Sequence, residues 1–320
     1  MHRKLHFVVG KGGVGKTTVA AALARLFARR GHRTLAVEME ASGSLPAMLG
    51  RTEVALTEVE VAPNLSVLSV DGRRALEEYL GLIIPVRRLL STVFESRIYQ
   101  YFVAAAPGLK ELMTIGKIWY EVTREEDGHP RWDVVVVDAP ATGHSLQYLR
   151  MPQAARDTFG TGLVQREAAR VTDLLHDAKT TAVHLVTLAE DMPIGETLET
   201  HAQLTDELRL PLGHVIVNRL HERRFDLDDL DALRRAAVAG PPREEAILQA
   251  VAERAREEEG WAAINAEQLA RLEAAIGNDH LVRIPYLFAE EFGSAEVETV
   301  SQTLEASTPG MDGDRQKATR

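Results

Sequence analysis

Short apolar runs punctuate the chain at 4–9, 34–38, 65–70, 132–138, 181–188, 213–218 and 280–284, and the stretches between them carry helical spacing. Leu5 to Val9 and Val134 to Val137 are mostly apolar rather than alternating, which is how a strand buried on both faces reads. Strand and helix in alternation predict a mostly parallel sheet covered by helices on both faces. The gap between the third and fourth runs is far longer than one crossover needs. It reads as helices, with Leu82, Val86, Leu89 and Val93 at spacings near one helical turn, interrupted by Pro85. A second helical segment covers Tyr99 to Val122, and a third covers roughly 145–178. Asp226 to Glu273 is charged, helical and broken at Gly240-Pro241-Pro242, a pattern suited to covering a sheet face. The expected organisation is one domain over 1–306 with helical insertions at about 73–128 and 145–178. The polar tail 307–320 is expected to be disordered.

The first apolar run opens directly onto Gly10-Lys11-Gly12-Gly13-Val14-Gly15-Lys16-Thr17-Thr18, and a helical pattern starts at Val19. This is a phosphate-binding loop in its proper strand–loop–helix setting. Glycines let the chain curl round phosphate oxygens with its N–H groups inward. Lys16 is expected at the β and γ phosphates and Thr17 on Mg²⁺, with Thr18 in the first helical turn, where a helix N-terminus favours anions. The expected ligands are therefore ATP and Mg²⁺. Lys11 stands where it cannot duplicate Lys16, so its ammonium needs another target.

Trp132-Asp133-Val134-Val135-Val136-Val137-Asp138 carries four valines into a carboxylate, the way a buried strand delivers an acid to its C-terminal edge. Asp138 is the candidate for the magnesium-side acid, acting through water. Val215-Ile216-Val217-Asn218 ends in a side-chain amide that offers a donor and an acceptor, as the edge of adenine requires. Asparagine is equally a common turn residue.

These motifs together resemble the P-loop ATPases with a second loop lysine, written xKGGxGK[ST], which include MinD and ParA proteins, nitrogenase iron protein and the arsenite-pump ATPases. Ala139-Pro140-Ala141-Thr142-Gly143-His144-Ser145-Leu146 is similar to the D-T-A-P-T-G-H-T-L switch of the arsenite-pump ATPases and of the eukaryotic ATPase that delivers tail-anchored membrane proteins. The proline is shifted by one position relative to that pattern. The resemblance implies a three-layer P-loop fold with an added helical layer, a dimer closed over nucleotide, and a Lys11 that reaches the partner's nucleotide. Thr142, Gly143 and His144 are then switch residues.

Glu38-Met39-Glu40-Ala41-Ser42-Gly43-Ser44-Leu45 falls where that family places its first switch, with Glu40 at the aspartate that orients the attacking water and Glu38 at the earlier acid. One extra methylene moves a carboxylate by roughly 1.5 Å, and a misplacement of about 1 Å can cost of order 10² in rate. Slow hydrolysis, or another group positioning the water, is the consequence. By the same resemblance Asn218 binds adenine, and Pro285 with the following Tyr286 to Glu291 flanks the base. Pro107-Gly108-Leu109-Lys110-Glu111-Leu112 resembles the family's P-G-x-x-E element.

Composition narrows the partners. The chain has no cysteine. Thiolate capture of trivalent arsenic or antimony, and the zinc-bridged CxxC dimer of the eukaryotic targeting ATPase, are therefore disfavoured. His176, His184, His201 and His214 show no ligand spacing and are expected at the surface or at helix ends. A net charge of −10 argues against nucleic acid. No run approaches 18 apolar residues, so no integral membrane segment is expected. The glycine loop lies inside any would-be signal region, and a cytoplasmic location is expected. Two functions remain: an ATP-hydrolysing dimeric switch coupled to a protein client or membrane-protein partner, or a slow or non-catalytic nucleotide-binding subunit of a hetero-complex with an active paralogue. A positioning role like that of ParA lacks its membrane helix and basic surface.

Overall fold

The computed structural model describes residues 3–83, 108–158, 161–225, 227–239 and 242–308, together with Phe94, Ser96, Arg97 and Tyr99. The expectations made for Pro85 to Val93, for Pro107 and for the tail beyond Thr308 lie outside these residues.

β1 (Leu5–Gly10) leads through the glycine loop into α1 (Lys16–Arg29), followed by β2 (Thr34–Glu38), the short α2 (Ser44–Met48), β3 (Val59–Ala62) and β4 (Leu65–Ser69). α3 (Gly72–Ile83) and α4 (Leu109–Thr123) lead to a small hairpin, β5 (Glu125–Glu126) and β6 (His129–Pro130), and then to β7 (Val134–Asp138). α5 (Thr142–Thr158), α6 (Leu163–His176), β8 (Thr181–Leu188) and α7 (Asp191–Ala202) follow, the last running on as a π turn over Gln203–Glu207. β9 (Leu212–Leu220), α8 (Leu227–Ala239), α9 (Pro242–Ile276), β10 (Leu281–Pro285) and α10 (Ser294–Ser307) complete the chain.

The sheet order is β10-β9-β8-β1-β7-β2-β4-β3, and every pairing is parallel except β3 with β4. β1, β2 and β7 are buried at every position, as strands covered on both faces must be. Leu5, Phe7 and Val9 face the core formed with α4 to α7, where Ile115, Ile118, Leu146, Val171 and Ile194 pack. Val8, Val134 and Val136 face the opposite core, where Leu23, Leu26 and Phe27 of α1 and Val297 and Val300 of α10 pack. The result is a three-layer α/β fold. β1 stands centrally, with β7, β2 and β4 on one side and β8, β9 and β10 on the other. Strand C-termini beside such a reversal are where open α/β sheets take their ligands.

The seven apolar runs are all strands of this sheet. β3 was not among them because it is a four-residue edge strand, Val-Glu-Val-Ala, whose positions alternate between half-buried and exposed, so it does not stand out as an unbroken apolar run. The hairpin before β7 turns on Asp127 and Gly128, both with positive φ (52° and 77°), a two-residue turn that Asp-Gly suits. The charged region 226–273 does less covering than its pattern suggests. Among the described residues, Leu269, Leu272 and Ile276 near the end of α9 join the sheet core, while α8 packs chiefly on α9.

The histidines divide. His176 and His201 fall in the last turns of α6 and α7, as expected. His184 is a correction: it is 1% exposed in the middle of β8, because that strand is buried on both faces and offers no outward slot. Its Nδ1 accepts the His214 backbone N–H at 3.0 Å, which puts the ring proton on Nε2, 3.0 Å from His6 Nδ1. Burial, and then the neighbouring His6, hold His184 well below the usual histidine pKa, so it is a neutral core residue.

Candidate functional site

The glycine loop leaves the C-terminal end of β1 and returns as α1. Gly13 and Gly15 take positive φ (84° and 91°), the second as the left-handed residue in front of the helix. No side chain caps α1 and no acid lies in its first turn, so its N-terminal N–H groups point at the loop without a side-chain competitor. That is the arrangement an anionic phosphate requires. A Cβ at Gly10 would overlap the Val186 carbonyl of β8, and one at Gly15 would overlap the Asn218 amide. The loop is thus pressed against two neighbouring strand ends.

Lys16 turns back into this loop, its Nζ donating to the Lys11 carbonyl at 3.1 Å. Burial lowers its pKa, offset by the nearby Asp138 and Glu40 carboxylates. Thr17 Oγ1 donates to Asp138 Oδ2 at 2.7 Å. Asp138 is 7% exposed and its Oδ1 is buried without a hydrogen-bond partner. Burial pushes the Asp138 carboxyl up to about 7, against the lowering effects of Thr17 and Lys16. A buried carboxylate oxygen with no partner, beside a threonine hydroxyl and below a phosphate loop, fits Mg²⁺, which takes few protein ligands and keeps waters and phosphate oxygens. Among the described residues no cluster of three or more acidic, histidine or cysteine side chains could hold a metal alone, so any cation here depends on the nucleotide for most of its ligands.

The acid's energetics give one prediction. Its folded pKa of about 7 lies above the ordinary 3.8, so the stability tied to its proton is full below pH 3.8 and is lost as pH rises through about 7. Asp138→Asn should therefore stabilise the nucleotide-free chain, by on the order of 2–4 kcal/mol at pH 8, while removing hydrolysis. Thermal melts at pH 4.5 and 8 should show the gap between variant and wild type widening with pH. A constant gap would contradict this account of Asp138.

The two candidate acids of the first switch differ sharply. Glu38 is buried and its carboxylate accepts from Ser42 Oγ (2.8 Å), Ser69 Oγ (2.8 Å), Gly43 N (3.0 Å) and Leu45 N (3.2 Å). It ties the switch loop to β4 and to the start of α2. Glu40 is exposed, and its charge lies close enough to oppose the lowering of the Lys16 pKa and to add to the raising of that of Tyr148. Tyr148, half-buried on α5, is pushed up to about 12 by burial first and by Glu40 next. Sequence reasoning did not single it out, and nothing in its local pattern marks it.

In the second switch, Ala139 N donates to Val8 O at 3.1 Å, and the His144 and Ser145 N–H groups close onto the Ala141 carbonyl as α5 begins at Thr142. Gly143 and His144 are exposed. A Cβ built on Gly12 would lie 3.9 Å from the Ala141 Cβ, so this switch comes close to the phosphate loop. Asn218, 5% exposed, donates Nδ2 to the Val14 carbonyl at 2.9 Å; contact with a base would have to use its Oδ1 or exchange that bond. Pro285 ends β10 opposite Leu220, and Tyr286 beyond it stacks on His221 with ring centroids 4.5 Å apart. Pro285 thus stands at the next strand end from Asn218 rather than at the loop. Lys11 is turned outward along the chain, its Nζ 2.6 Å from Glu196 Oε1 of α7. No motif pointed to Glu196, which is 185 residues away in sequence.

The sequence matches the profile of a family described as anion-transporting ATPase over residues 3–167. It is 34% identical over 233 residues to ATPase BagA of Mycobacterium tuberculosis, covering 71% of this chain and 68% of that one. ATPase GET3C of Arabidopsis thaliana is 24% identical over 266 residues, 68% of this chain and 67% of that one. The arsenical pump-driving ATPase of Escherichia coli is 27% identical over 228 residues, 66% of this chain but 38% of that longer protein. No described helix is long and apolar enough to cross a membrane.

Proposed function

The chain belongs to the anion-transporting ATPase family and is a nucleotide-binding ATPase. From that premise we propose that two chains close over ATP and Mg²⁺, that hydrolysis reopens them, and that the cycle changes affinity for a protein client or membrane-protein partner. In this reading the protein is one cytoplasmic ATPase unit, paired with a second copy or a paralogue, and it does not act on nucleic acid.

The observation that carries the reading is the orphaned Asp138 Oδ1 beside the Thr17 hydroxyl, under a helix N-terminus that no side chain caps. Gly12 to Gly15 supply backbone N–H groups to the β and γ phosphates, Lys16 neutralises them, and Thr18 stands in the first helical turn. Mg²⁺, when bound by Thr17 and through water by Asp138, supplies charge compensation for the leaving phosphate. Lys11 brings a second positive charge to the partner's phosphates. Asn218 and Pro285 flank the adenine. Thr142, Gly143 and His144 sense the γ phosphate, and because α5 begins at Thr142 and packs on α4 and α6, a shift in that switch moves the helical layer where a client would dock. Metalloid transport is not part of the proposal, since no thiolate is available.

Glu40 orients the attacking water, for Glu38 is committed to four hydrogen bonds, three within its own loop and one from Ser69 of β4. Glu40→Gln should bind ATP, trap the closed pair and lower turnover by about 10²-fold or more. Glu40→Asp should hold or raise turnover by bringing the acid back to the family's length. The second reading, a non-catalytic subunit awaiting an active paralogue, is favoured by the two glutamates where the family carries shorter acids. It expects wild-type turnover at background, with neither substitution mattering. Steady-state phosphate release from the three proteins separates the two, and a measurable wild-type rate untouched by Glu40→Gln would remove Glu40 from the mechanism.

A further inference from the structure

We propose that Glu196 is a positioning residue for Lys11: it holds that lysine on its own chain while the protein is open and yields it to the partner's phosphates on closure. The proposal rests on the paired reading above.

The two lysines of the phosphate loop are divided. Lys16 Nζ points inward to the Lys11 carbonyl, whereas Lys11 Nζ reaches Glu196 Oε1 at 2.6 Å, with the two side chains 27% and 42% exposed. Glu196 stands on a fixed platform. β8 pairs with β1 up to Gly10, and α7 starts just beyond β8, so both arise from the same edge of the sheet. Ile194 and Thr197 are buried on either side of Glu196. Asn265 Nδ2 of α9 donates to the Ala189 carbonyl at 2.9 Å, and Arg271 of α9 pairs with Asp191 at 2.9 Å. The backbone that carries Glu196 is braced by these contacts and Lys11 is the longer side chain of the pair, so a change in pairing moves the lysine.

An ammonium held by one half-exposed carboxylate is weakly committed, because water screens such a pair. The terminal phosphate of a triphosphate carries more charge, and a closing interface excludes the water that screens it. Lys11 therefore transfers when a partner brings a triphosphate and returns to Glu196 when the terminal phosphate is gone. Glu196 makes closure dependent on the triphosphate, and its loss should favour closure. Two such pairs open per dimer, so removing the acceptor should tighten ATP-dependent association by roughly two- to thirty-fold.

The test compares wild type, Glu196→Gln and Glu199→Gln, the last an exposed acid on the same helix. Acylation of Lys11 in the nucleotide-free chain, followed by mass spectrometry, reads the contact itself. Sedimentation over a range of protein concentration with Mg·ATP reads closure. Glu196→Gln should raise Lys11 acylation several-fold and tighten association, and Glu199→Gln should do neither. Unchanged acylation and association in Glu196→Gln, with a wild type that pairs on ATP, would overturn the role of Glu196 alone; so would weaker association, since Glu196 would then be needed in the closed state. A wild type that stays single at every ATP concentration would overturn the paired reading, and the release step with it, whatever the acylation shows.

Discussion

Lys16→Ala is expected to abolish ATP binding at ordinary concentrations while leaving the chain folded. Lys16 donates to a single backbone carbonyl in the nucleotide-free protein, so truncation removes little of the fold. With nucleotide bound as proposed, it would be the nearest cation to the β and γ phosphates, in a loop whose other lysine pairs with Glu196. Truncating one partner of a buried, hydrogen-bonded charge pair costs about 2–5 kcal/mol, or roughly a 30- to 5,000-fold loss of affinity. The loss should be compounded at Asp138, whose carboxyl the Lys16 charge helps to keep down. Calorimetry with Mg·ATP, beside a thermal melt, checks it. Unchanged affinity in a folded variant would remove the phosphate-loop assignment.

Lys11→Ala should behave in the opposite sense. Its ammonium faces α7 rather than the loop interior, so ATP affinity should stay within a few-fold. ATP-dependent pairing should disappear and hydrolysis should fall by about 10³- to 10⁵-fold, the range seen for cationic groups supplied in trans to phosphoryl transfer. Sedimentation with and without ATP, together with phosphate release, checks both halves. A variant that still pairs on ATP and turns over normally would make Lys11 a surface lysine.

Much of this was legible in the sequence because the central strands are buried on both faces. The four valines before Asp138 can belong only to a strand with apolar neighbours above and below, and the glycines before Lys16 signal backbone turned toward an anion. What escaped was set by contacts across the sheet. Glu196 meets Lys11 only because β8 lies beside β1. Asn218 meets the Val14 carbonyl because β9 lies beside β8; its residue type suggested a base contact, and nothing local showed that the amide is also a brace for the loop. Glu38 and Glu40 are equivalent in local sequence. The fold separates them: Glu38 is buried and held by Ser42, Gly43 and Leu45 of the folded-back loop and by Ser69 of β4, while Glu40 is exposed. His184 looked like a surface histidine because its partners His6 and His214 lie on two other strands.

The central claim is that each nucleotide site is completed by the partner's Lys11, and mixing two inactive variants tests it most directly. The Lys11→Ala chain binds ATP but has no lysine to lend, and the Lys16→Ala chain lends its Lys11 but binds no ATP. Each alone should be inactive. Equal amounts together should recover hydrolysis, up to about half of the wild-type rate, because only mixed pairs can close and each of them holds one complete site of two. A mixture as inactive as its components would contradict action across the pair.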